Sequence, residues 1–222
     1  PGTVADLIRD ADPKNYRSVS SRGRRVGQKV PDWTTEARFN CSYRLCDSYT
    51  DVCNALQETL CPDSNLEKDA LIKPDNLARA DFTLHSRRQK GPAFNVYVSA
   101  KCYTDALGGD KRDNDFDTTK PDHQYTVKPG AQQTDVFRAA KAAFDPVLAQ
   151  MMAQSGGRVL RLHAVLPGYA KDPRTGEAPA PVEIDGDEVR IIIDRHNYKA
   201  LFTTLEMQRL VEGIVAMKGY KS

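Results

Sequence analysis

Val4, Leu7 and Ile8 share one helical face near the start of the chain, and Thr3 with Asp6 makes a capping pair ahead of them. That pattern predicts a short helix over 4–10, closed by Pro13. The period then changes to two: Phe39, Cys41, Tyr43 and Leu45 alternate with Arg38, Asn40, Ser42 and Arg44, which predicts a strand. Helical spacing returns with Val52, Ala55, Leu56, Thr59 and Leu60 in one stripe, opened by Ser48 and Asp51 and stopped by Pro62. The stretch 63–79 is mixed in polarity and holds Pro74, so it reads as loop.

Two alternating runs follow, "ADFTLHSR" and "AFNVYVSAKCY", joined by "RQKGP", and this spacing predicts an antiparallel hairpin. The Asp-rich stretch 105–122 reads as an exposed loop before a short strand at "HQYTV". Residues 134–154 carry the longest helical stripe, through Phe137, Ala140, Phe144, Val147, Leu148 and Met151. Pro146 demands a kink or a fresh start inside it, and Gly156 with Gly157 ends it. Beyond lie a strand at "RVLRLHAVLP", a hairpin about Asp185 and Gly186, and a closing helix with a Thr203/Glu206 capping box and a stripe of Met207, Leu210, Val211, Ile214 and Val215.

Hairpins interspersed with helices predict an α+β fold, an antiparallel sheet with helices packed on one face and an extended basic N-terminal arm. The expected division is an N-terminal helix and basic arm in 1–33 and a single α+β domain in 34–222. No repeat is visible.

Charge placement changes the picture more than composition does. From Pro13 to Pro31 the positives are Lys14, Arg17, Arg22, Arg24, Arg25 and Lys29, without an acid among them. Those six charges exceed the chain total of +2, so the rest of the chain is net −4. Interspersed Ser and Gly disfavour a helix there, so an extended arm is expected. No apolar run is long enough for a bilayer, and the first residues bear acids where a signal peptide needs a basic start, so the expected location is cytoplasm or a virion, neither secreted nor membrane-bound. Five cysteines at spacings unlike zinc pairs are expected to be reduced and mostly buried.

If the helices cover the Phe82/Leu84 and Val96/Val98 side, the other side of the sheet displays Arg38, Arg44, His85, Arg87, Tyr97, Lys101 and Tyr103. Tyr rings stack on unpaired bases while Arg and Lys meet phosphates, and an acid-free arm binds phosphate by releasing condensed counterions. Asp113, Asp115 and Asp117 begin like a calcium loop, but Thr118 stands where glycine is needed and Gln124 where a bidentate Glu is needed, so no metal and no cofactor is assigned. The four histidines accompany no known catalytic motif.

These features favour a non-enzymatic protein that associates with RNA or DNA and with copies of itself, of the viral or phage coat or nucleoprotein type. The order from the hairpin at 80–104 through "QYTV" to the helix from 134 resembles coat proteins of single-stranded RNA phages, over less than half the chain and without a diagnostic motif. One alternative is a single-stranded nucleic-acid-binding protein of replication or RNA processing. Another is a metal-dependent nuclease or hydrolase using the Asp-rich loop.

Overall fold

The computed structural model describes residues 2–13, 30–38, 41–61, 69–86, 91–103, 117–127, 130–171, 176, 179–201 and 204–217. Seven strands form one sheet: β1 (Cys41–Leu45), β2 (Asp69–Lys73), β3 (Phe82–Ser86), β4 (Phe94–Cys102), β5 (Val159–Leu166), β6 (Val182–Asp185) and β7 (Glu188–Ile193). They lie in the order β1-β2-β3-β4-β5-β7-β6. The helices are α1 (Val4–Ala11), α2 (Tyr49–Leu60), α3 (Asp135–Ser155), α4 (Tyr198–Leu201) and α5 (Leu205–Met217).

The α+β class holds, but the sheet is mixed where an antiparallel one was expected. β1–β2, β4–β5 and β5–β7 pair in parallel, the other three neighbours antiparallel. Parallel neighbours need a long crossover, and α2 and α3 supply it for the first two pairs. For the third, β6 takes the outermost position and a tight turn at Gly186, where φ is +57°, brings β7 back beside β5. The hairpin reading of β3 and β4 holds, with Thr83 opposite Tyr97.

Helical elements cover both faces, which overturns the expectation of one covered face. α2 and α3 pack on the side of Ala70 and Ile72, where Val52, Leu56, Ala140, Phe144, Val147 and Met151 form one core. α1 and the 3-10 turn Asp32–Thr35 pack on the other side, where Val4, Ile8 and Trp33 meet Leu84, Phe94, Val96, Leu160, Val189 and Ile191. α1 begins as its sequence predicts: Thr3 Oγ1 accepts from the Asp6 amide at 3.1 Å, and Asp6 Oδ2 accepts from the Thr3 amide at 2.7 Å.

Several local expectations fail. β2 was read as loop, since a five-residue strand ending in Lys73 and Pro74 carries almost no periodicity. "HQYTV" is not a strand: Pro121 opens a 3-10 turn, and Tyr125 takes a left-handed φ of 57° to put its ring 5.1 Å from that of Phe144. Of the kink or fresh start expected at Pro146, the fresh start is absent: α3 is helical on both sides, where the buried stripe of Ala140, Phe144, Val147 and Met151 continues and offsets the one lost backbone bond. In α5 Val211 is buried but Leu210 is 57 % exposed, so the expected stripe is not reproduced there; the side chains of Met207, Ile214 and Val215 lie outside the described residues. The cysteines are free, with Cys46 and Cys53 buried, Cys41 half-buried, and Cys61 and Cys102 exposed.

Phe144 stands at the centre of the α2/α3 core, 1 % exposed. Phe144→Ala is expected to cost roughly 3–5 kcal/mol, seen as a lower urea midpoint with the denaturant slope unchanged.

Candidate functional site

Cross-strand register places Arg44, Ile72, Thr83, Tyr97, Arg161, Arg190 and Glu183 in one row across all seven strands. Arg44, Tyr97 and, by alternation, His85 and Lys101 do share a face, as their sequence pattern requires. That face is the one beneath α2 and α3. Tyr97 and His85 are fully buried, which removes both from any open nucleic-acid surface. Tyr97 packs with Ala80, Val159 and Met152, and burial pushes its phenol pKa upward against a partly offsetting interaction with the Thr83 hydroxyl. The cavity beside Tyr97, Thr83 and Tyr125 holds about 10 Å³, too little for a base.

His85 serves the core instead. Asn95 Nδ2 donates to Ser155 Oγ of α3 at 2.9 Å, which leaves Asn95 Oδ1 to accept from His85 Nδ1 at 2.6 Å. The remaining predicted residues scatter. Arg44 ion-pairs with Glu58 of α2 at the sheet margin, and Lys101 with Asp81 at 3.4 Å. Arg38 bridges Thr3 beside α1, and the Tyr103 amide donates to Leu166 O beyond the end of β4. Lys14, Arg17, Arg22, Arg24, Arg25, Lys29, Arg87, Asp113 and Asp115 lie outside the described residues. Asp117 is described, and it pairs with Lys120 at 2.7 Å.

A denser polar cluster sits on β5, where sequence reading assigned no role. Arg161, 1 % exposed, donates from Nε to Thr119 Oγ1 at 3.0 Å and from Nη1 to Glu188 Oε1 at 2.5 Å. Thr119 Oγ1 lies 2.7 Å from His163 Nε2. A guanidinium has no acceptor, so its Nε–H is received by the hydroxyl oxygen, which also bonds His163 Nε2. Burial, reinforced by the nearby Arg161 charge, depresses the His163 pKa to about 3 and keeps the ring neutral. Burial also lowers the Arg161 pKa, against the attraction of Glu188. A signal for this cluster was present in the alternation of "RVLRLHAVL", which puts Arg161 and His163 on the Tyr97 face two residues apart.

Thr119 resembles a nucleophile beside its base, yet Thr119 and His163 are no more than 1 % exposed and no substrate reaches them. The cluster works as a tie. It fastens residues 117–125 to the sheet, together with Gln124, whose Oε1 accepts from the Ala80 amide at 2.9 Å while Nε2 donates to Thr118 O and Lys120 O.

An open concavity lies elsewhere, a groove of about 580 Å³ between Asp32, Trp33, Arg158, Ile184 and Asp187. It lies where the basic run of 14–29 joins the described body at Val30. Two carboxylates oppose one guanidinium there, and Trp33 is buried against Phe94 at 5.6 Å, so the indole forms a wall and is not a free stacking surface. Among the described residues, no group of three or more His, Cys, Asp or Glu side chains is placed to hold a metal, and no helix is long and apolar enough to cross a membrane.

The tie has a pH signature. His163 has an ordinary pKa of 6.5 in the unfolded chain and about 3 in the fold, so the unfolded state binds the extra proton between these values and stability falls as pH drops through that window. The expected slope from this group is up to roughly 1.4 kcal/mol per pH unit, measured by urea unfolding between about pH 6.5 and pH 4. His163→Asn is expected to flatten that slope; an unchanged slope would remove His163 as its source. Compared with protein-family models, with curated proteins and with solved structures, the chain matches none.

Proposed function

We propose that the chain is a non-catalytic protein that associates with nucleic acid through its basic N-terminal arm and with copies of itself through its body. The observation that carries this reading is the acid-free run holding Lys14, Arg17, Arg22, Arg24, Arg25 and Lys29. Its significance rises beside the described part of the body, where many cations stand next to a carboxylate. Arg9 pairs with Asp6 and Asp10, Arg44 with Glu58, Lys101 with Asp81, Lys120 with Asp117, Arg138 with Asp135, Lys141 with Asp145, Arg161 and Arg190 with Glu188, and Lys199 with Glu212. Paired cations release few counterions when a polyanion approaches, whereas a cluster without acids among its neighbours releases many.

The burial of Tyr97 and His85 moves the expected contact from sheet to arm. Phosphate contact by an arm carries no sequence information, so binding should be general and strongly salt-dependent. This favours a packaging or protecting role over a base-reading one.

Fluorescence anisotropy with labelled RNA and DNA oligonucleotides, titrated in salt, tests this. Replacing Arg22, Arg24 and Arg25 together by Ala is expected to weaken binding to every sequence alike and to reduce the salt slope by up to about three phosphate contacts. Absence of binding by the intact chain at low salt, or an unaltered slope in the triple variant, would refute the reading. Light scattering that finds only monomer, with and without nucleic acid, would refute its assembly half.

A further inference from the structure

Three hydroxyls lie buried on the α3 side of the sheet without a hydrogen-bond partner among the described residues: Thr83 Oγ1 of β3, Tyr97 Oη of β4 and Tyr125 Oη. A buried polar atom left unpaired costs free energy, and three in one region call for a shared explanation. All three residues line one small internal cavity, together with Val52, Gln124 and Phe144. Each of these six is no more than 4 % exposed. Thr83 and Tyr97 stand opposite each other in the β3–β4 pair, and their hydroxyls influence one another without a direct hydrogen bond. Tyr125 reaches the cavity from the 117–125 segment, in a left-handed conformation that a tyrosine keeps only where its surroundings fix it.

We propose that this cavity is the site of one structural water, bound by the hydroxyls of Thr83, Tyr97 and Tyr125. Its volume of about 10 Å³ admits a single water and no larger molecule. An ion of that size is a poor occupant, since none of the described lining residues is charged and an uncompensated charge at such depth costs far more than a neutral group. Gln124 does not compete for the position: its Oε1 accepts from the Arg79 and Ala80 amides, and its Nε2 donates to Thr118 O and Lys120 O.

Burial raises the pKa of both phenols, so both keep their hydrogens and can donate to the water oxygen, while the water donates to Thr83 Oγ1. Three bonds are the usual complement of a buried water. The water would join β3, β4 and the 117–125 segment at one point. It is a second polar fastening of that segment, beside the Arg161–Thr119–His163 tie, and it is independent of the role proposed for the arm.

A crystal structure of the full chain, at a resolution that shows ordered water, tests the site. Density for one oxygen at about 3 Å from all three hydroxyl oxygens is expected. A cavity without density, or hydroxyls bonded directly to one another, would overturn the proposal. Urea unfolding gives an independent readout, because the two cases differ in sign. If the water is there, Tyr97→Phe removes one of its bonds and is expected to lower the folding equilibrium constant roughly fivefold. If the hydroxyl is dry and unpartnered, the same change raises that constant. Thr83→Val repeats the test from the opposite strand at almost constant volume and decides it if Tyr97→Phe does not fold. A constant that is raised or unchanged in both variants would sink the water.

Discussion

A guanidinium in the middle of a sheet is the constraint around which this fold is arranged. An unpaired buried charge is worth several kcal/mol of destabilisation, so Arg161 must find acceptors wherever the chain can place them. It finds Glu188 one strand over and Thr119 from a segment 42 positions earlier in the chain. Meeting the second requirement fixes residues 117–125 on the sheet, which positions Tyr125 against Phe144 and so seats α3. His163 completes the tie as a neutral ring, a state that burial and the Arg161 charge together enforce. Packing of the helical layer thus depends on a polar contact made deep inside it.

Local signals were legible where one face of an element meets one environment. The capping box at Thr3, the Ser48 cap of α2, the Thr83–Tyr97 hairpin and the Gly186 turn all follow from nearest-neighbour chemistry. Tyr97, Lys101 and Arg44 were rightly grouped on one face. What alternation cannot say is which face a helix will cover, and both are covered here. Phe94 and Val96 look like the single core side until Trp33 and α1 are seen to fill that side while α3 fills the other. A Tyr and a His on a strand read as solvent-facing because their polar atoms need partners; for His85 Nδ1 the partner is Asn95 of the next strand, itself held by Ser155 of α3, sixty residues further on. The mixed strand order was hidden for the same reason, since parallel pairing is decided by where a crossover helix lands.

The proposed role of the run from Lys14 to Lys29 rests on its contrast with the described body. Ion pairs at short range join many of the described cations to carboxylates, and exposed pairs of this kind add little stability. Their effect is on the field outside, where neighbouring opposite charges cancel within a Debye length. A polyanion passing such pairs meets alternating signs, whereas the run from Lys14 to Lys29 carries six cations with no acid among them.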